Sequence, residues 1–185
     1  MPRLPLLRTA RGCRGAALVA AFLGAFATAA APPAAEPGWT PFEASLSASG
    51  QRQVLEAGPL EASTTHLSGS FAVRRGEGLR KGFRGEALVY GDGREVGVGT
   101  LVLTDDHGDQ VFCSLVGDAT REGAQVRATI RGGSGRYEGV EGDFTFLWRF
   151  LVKTSEGEVS GFAEKVEGRF RLPAAAPKPR TEGRR

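Results

Sequence analysis

An all-β chain closed, or nearly closed, into a single antiparallel barrel is what this 185-residue sequence predicts. Three observations carry that reading. Beyond residue 40 the chain is a succession of short apolar–polar alternations, glycine or aspartate turns separate them, and no stretch keeps a helical apolar period. Alternating segments joined by tight sequential turns pair with their chain neighbours, and such neighbours are antiparallel.

The first 31 residues predict something other than barrel. Arg3, Arg8, Arg11 and Arg14 precede the alanine-rich apolar run "AALVAAFLGAFATAAA", which ends in small residues, the pattern of a secretory signal peptide. At about 16 residues the run is short for a membrane-spanning helix, which needs roughly 20. Ala27-Thr28-Ala29 offers a cleavage motif, and cleavage is expected between Ala29 and Ala31. No Arg-Arg pair marks a twin-arginine signal, and Cys13 stands before the apolar run, where a lipoprotein anchor cysteine follows it. The mature protein is therefore expected to be exported, periplasmic or extracellular, with no integral membrane segment.

Cleavage also changes the charge. Taking four arginines and no acid from 24 basic and 21 acidic residues leaves 20 against 21, so the basic character belongs mostly to the leader. The tail 173–185 carries Lys178, Arg180, Arg184 and Arg185 against Glu182 among Pro and Ala, a solvated and disordered end by composition. What remains, residues 32–172, is mildly acidic, which argues against nucleic acid as a partner. Only Cys113 survives cleavage, so no disulfide within the mature chain is expected and the fold rests on its apolar core. Set in "DQVFCSLVG", Cys113 is expected to be a buried structural thiol.

Residues 32–40, with "PPAAEPG", form a linker, and the barrel domain is expected over 41–172. Its candidate strands run, in order, Pro41 to Ala48, Arg52 to Ala57, Leu67 to Arg74, Phe83 to Tyr90, Glu95 to Leu103, Gln110 to Val116, Ala124 to Arg131, Asp143 to Val152 and Glu158 to Leu172. Asp92-Gly93 is a strong hairpin signal, "TDDHGDQ" and "TSEGEV" are further tight turns, and the last segment is long enough to bend at Gly161 or Gly168. Alternation assigns faces. Phe144, Phe146, Trp148 and Phe150 share one face and should point inward; Thr145, Leu147, Arg149, Leu151 and Lys153 share the other. In the last segment Phe162, Val166 and Phe170 share a face with one carboxylate, Glu164. Between Phe83 and Tyr90 the inward face is ambiguous, because Phe83, Ala87 and Val89 compete with Leu88 and Tyr90, whose face also holds Glu86.

The stretch "GGSGRYEGVEG" asks whether its glycines cradle a phosphate. A dinucleotide loop needs Gly-x-Gly-x-x-Gly opening a helix, but Gly133 and Gly135 are followed by Glu138 at the third position and then by the strand-like "DFTFLWRF". No Gly-Lys-Ser/Thr occurs, and no cofactor is expected. The glycines instead suit a turn that swings the chain from one barrel wall into the aromatic strand. The same stretch, with "DDHGDQVF" some 25 residues earlier and the later "GRFRLP", resembles small exported bacterial proteins of the allene oxide cyclase and dirigent type of barrel, over roughly Leu67 to Pro173. That resemblance implies an antiparallel barrel of eight strands with an apolar interior and frequent self-association into homo-oligomers. Plant cyclase members handle oxylipins and dirigent members steer phenoxy-radical coupling; no catalytic position of either is matched here, so none is transferred.

Candidate chemistry follows from the faces. Glu164 on an apolar face is the one candidate catalytic residue, a pocket carboxylate able to bind a hydroxyl or move a proton, unless a bulge turns it to solvent. Phe144, Phe146, Trp148, Phe150, Phe162, Glu164 and Tyr90 are the candidate ligand-binding residues. Small residues such as Ala87, Gly97, Gly99 and Ala128 leave room beside the large ones. The Asp105, Asp106, His107 and Asp109 cluster has metal-ligand types, but with no distant partner it reads as a hairpin turn, and no metal is expected. Ser134 lacks the nucleophile-elbow pattern. The expected function is an exported barrel binding a small apolar or aromatic molecule in its interior, non-catalytic or weakly catalytic. The alternatives are a cyclase- or isomerase-like or dirigent-like enzyme using the pocket carboxylate, and a structural, self-assembling barrel filled solid.

Overall fold

A computed structural model describes residues 38–173 except 59 and 93–95, with the side chains of Leu60 and Val96 also undescribed. The expected signal peptide, most of the linker and the basic tail beyond 173 lie outside the described residues, as does Gly93 of the Asp92-Gly93 turn. Among the described residues there are eight strands: β1 (Thr40–Ala57), β2 (Leu60–Arg75), β3 (Gly82–Gly91), β4 (Val96–Asp105), β5 (Gln110–Thr120), β6 (Gly123–Gly133), β7 (Glu141–Lys153) and β8 (Glu158–Arg171). Each pairs antiparallel with the next, and β1 pairs with β8, which closes the barrel. Among the described residues there is no helix long and apolar enough to cross a membrane.

Nine expected segments become eight because the first two are one strand. Gly50 reads as a break in sequence, yet it stays in the ladder, opposite Leu67 on one side and Val159 on the other. A Cβ there would lie 1.8 Å from the His66 carbonyl oxygen, so glycine allows a close approach of backbones rather than a turn. Gly161 serves the Trp148 ring in the same way, since a Cβ would stand 2.5 Å from Cζ2 of the indole.

Two one-residue irregularities reset the faces of the closing strands. Ala44 pairs with Val166 but Leu46 with Ala163, so Glu164 and Lys165 together oppose Ser45 in a β-bulge on β8. On β7, Phe150 pairs with Gly161 and Val152 with Ser160, which leaves Leu151 as the extra residue. Beyond each irregularity the alternation continues on the opposite parity.

One end of the barrel is solid. Phe42, Phe71, Phe83, Phe144 and Phe170 are all buried there. Edge-on contacts join them, at 5.8 Å between the Phe42 and Phe144 ring centroids and 5.9 Å between Phe71 and Phe144. The glycine-rich stretch is the lid on that end. After β6 the chain makes a short 3-10 turn, Gly135–Tyr137, with Gly135 at φ +60° and Gly139 at φ +71°, conformations that favour glycine. Those two angles fold Tyr137 and Val140 down into the barrel, where they are 0% and 1% exposed. Ser134 fastens the turn, its N–H donating to the Gln110 carbonyl at 2.8 Å and its hydroxyl accepting from the Gln110 N–H at 3.2 Å.

Candidate functional site

The opposite end, where the β5–β6 and β7–β8 turns lie, is hollow. Inward positions that hold phenylalanine near the lid give way along the same strands to alanine and glycine. On β3 the inward series is Phe83, Gly85, Ala87 and Val89; on β6 it is Ile130, Ala128, Val126 and Ala124. The space this leaves is a cavity of about 280 Å³, enough for a small organic molecule. Leu46, Leu101, Leu115, Phe146 and Trp148 line its deeper part, and Ala48, Ala87, Ala124, Gly97 and Gly117 its walls. Phe150, Arg52 and Lys153 border it toward solvent.

The sequence-derived candidates divide between inside and outside. Phe144, Phe146 and Trp148 are buried in the interior, Phe144 within the solid half and the other two against the cavity. Phe150 also faces the cavity and is 49% exposed at its mouth. Phe162, Glu164 and Tyr90 are corrected. The β8 bulge places Glu164 on the outer surface beside Thr145, Lys165 and Glu167 rather than on the apolar face. On the Gly161 side of that bulge Phe162 pairs with Ser47 and Arg149 on the outer wall, and inward Ala163 takes the place assigned to it. Tyr90 shares the outer face of β3 with Arg84, Glu86 and Leu88, because Phe83, Gly85, Ala87 and Val89 point in. Of the small residues expected to leave room, Ala87 and Gly97 line the cavity, whereas Ala128 is fully buried in packed core.

Both charged cavity residues escaped sequence reading. Arg52 belongs to the inward series Phe42, Ala44, Leu46, Ala48 and Gly50 once β1 is seen as continuous, and that parity was available in the sequence. Lys153 was assigned outward by simple alternation; the extra residue at Leu151 turns it inward, opposite Val159. No local sequence signal marks that irregularity.

Electrostatics concentrate at the lidded end instead. Asp105 is the one charged residue among the described residues that is buried. Its Oδ1 accepts from the N–H groups of His107 (2.8 Å) and Asp109 (3.0 Å), and its Oδ2 accepts from the Tyr137 hydroxyl at 3.2 Å. Arg80 Nε stands 3.8 Å from Oδ2. Burial opposes ionisation of Asp105, but these hydrogen bonds together outweigh it and hold its carboxyl below the usual value. For Tyr137 burial is the leading cause and raises the phenol above its usual value, with the Asp105 charge acting in the same direction. Asp106 Oδ1 accepts from Nδ1–H of the His107 ring at 2.9 Å, the leading cause that holds its carboxyl below the usual value. The ligand atoms of Asp105, Asp106 and His107 lie within 4.8 Å of one another, in the hydrogen-bonded hairpin turn that the sequence suggests. Cys113 is 1% exposed and faces the interior between Leu101 and Ile130, and burial pushes its thiol up to about 12.

No protein-family model and no curated protein sequence matches the chain. Among solved structures it is similar to a pterocarpan synthase dirigent protein, at 10% identity, over 80% of this chain and 99% of the other, with a TM-score of 0.46. The closed eight-stranded antiparallel barrel rests on the strand pairing itself.

Proposed function

We propose that the protein is an exported, non-catalytic or weakly catalytic barrel that binds a small apolar or aromatic molecule in its hollow half. The observation that carries this reading is the contrast in filling: the barrel is solid at one end and leaves about 280 Å³ at the other, walled by hydrocarbon and glycine. A barrel whose only task was structural would gain stability by filling that space. The enzymatic alternative loses its main candidate with Glu164 on the outside, and among the described residues no carboxylate or imidazole lines the cavity to move a proton. Export is supported by the leader pattern of residues 1–31; N-terminal sequencing of the secreted protein is expected to begin within 30–32.

Native mass spectrometry of the mature protein from its own host, followed by denaturation, tests the binding reading. Release of an apolar compound is the expected outcome. Apo protein that also fails to take up hydrophobic aromatic probes would support a structural barrel instead. The same spectrum counts subunits. Self-association is favoured by the apolar outer wall of β3–β5, where Leu88, Tyr90, Val98 and Val116 are about half exposed. Val98→Glu is expected to shift any oligomer toward monomer.

A further inference from the structure

We propose that the ligand is a compact apolar acid: a hydrocarbon body of about a dozen carbons in the cavity, and an anionic head held at the rim by Lys153 and Arg52. This deepens the binding reading above and rests on it. Three features of the cavity point to it.

The first is charge. Among the described residues, the only charged ones lining the cavity are Arg52 and Lys153; the only other side chains there with a polar group are Thr65 and Trp148, whose indole N–H is a donor. Both cations face inward by register. Val159 pairs with Gly50 on one side and Lys153 on the other, and Arg52 follows two residues after Gly50, so the two flank the start of β8. The Arg52 N–H donates to the Gly157 carbonyl at 2.7 Å, which fixes the backbone at that point of the rim.

The second is how these charges are engaged. Glu61 takes one nitrogen of Arg52, Nη2, at 3.0 Å, and a guanidinium has five N–H donors in all. Lys153 makes no ion pair among the described residues; its Nζ stands 6.0 Å from the centre of the Phe150 ring, at the mouth. On its outer side Lys153 borders a groove with Glu56, Glu61 and Glu156, none of which pairs with it; an ammonium without an ion pair at the edge of an apolar, weakly polarisable space attracts an anion more strongly than the same group in open water. To a neutral carbonyl it offers only an ion–dipole hydrogen bond, weaker than its pairing with an anion, and it repels a cation.

The third is size. A protein cavity of about 150 Å³ accommodates benzene. At about 280 Å³ the present one takes roughly twice that body, two fused rings or a short branched chain, and not a long-chain lipid.

Calorimetric titration of the full mature chain with 2-naphthoate and with its neutral counterpart 2-naphthamide separates the charge from the body. Naphthoate is expected to bind roughly tenfold more tightly at low ionic strength, with the preference shrinking as salt is added. Lys153→Met, which keeps an apolar stem, is expected to bring the naphthoate affinity down to that of the amide, while the outer-surface variant Glu164→Gln keeps the preference. Ala87→Phe, which fills the cavity, is expected to abolish binding of both probes. Equal affinities in the unmodified protein overturn the acid-head proposal while leaving the cavity as a ligand site; binding of neither probe overturns both. A preference that survives the double change Arg52→Met and Lys153→Met, or naphthoate binding that survives Ala87→Phe, overturns the assignment to this rim. Palmitate binding more tightly than naphthoate overturns the size limit.

Discussion

The two ends of this barrel are made from the same eight strands with the same alternation, yet one is packed solid and the other is hollow. The difference is side-chain volume along each inward series. β2 runs from Thr65 and Leu67 through Gly69 to Phe71 and Val73, and β4 from Gly97 and Gly99 to Leu101 and Leu103. Phenylalanine rings, the Tyr137 lid and a buried Asp105 supply rigidity at one end; alanines and glycines supply space at the other. Stability and binding are thereby assigned to different residues of the same strands, so each should yield to substitution without the other.

The largest effect is expected at the solid end. Phe144→Ala removes a ring that contacts three other phenylalanines and should cost about 3–5 kcal/mol in urea unfolding; a loss below about 1 kcal/mol would mean that the end is not close-packed. Next comes the lid. Tyr137→Phe deprives buried Asp105 of one donor and should cost about 1–3 kcal/mol. The folded-state value of Asp105 lies below its unfolded value, so its contribution is fully present above about pH 4 and is lost as pH falls through the lower, folded value. Asp105→Asn should therefore destabilise the protein at neutral pH and flatten the acid limb of its stability curve. At the hollow end Ala87→Phe should change stability by less than about 1.5 kcal/mol while eliminating probe binding. The smallest effect is expected at Glu164, where Glu164→Gln on the outer surface should stay within about 0.5 kcal/mol and leave binding intact; lost binding there would restore it as a site residue.

The sequence announced the strands well because alternation and turn residues are local signals. Phe144, Phe146 and Trp148 keep parity with their neighbours and point inward as read. Errors began where one residue is inserted into a ladder. The bulge at Glu164–Lys165 moved Glu164 and Phe162 outward, and the extra residue at Leu151 brought Lys153 inward, because a single-residue slip exchanges the two faces of everything beyond it. Bulges answer to barrel closure, a property of eight strands together that no one segment encodes. Gly50 misled for a related reason: glycine marks a break in most strands, but here it marks where two backbones touch. Tyr90 is misassigned to the binding face because both faces of β3 carry apolar residues, and only the neighbouring strands settle which face is inside.

Cys113 gives this closed wall a clock. Its thiol is shut between β4 and β6 and, with a value raised to about 12, is almost wholly un-ionised at neutral pH. An alkylating reagent reaches such a sulfur only when strands part, so the labelling rate counts openings of the barrel one by one. A molecule seated at the hollow end would slow that count in proportion to how long it holds the wall shut, and its residence could be timed from a single sulfur atom.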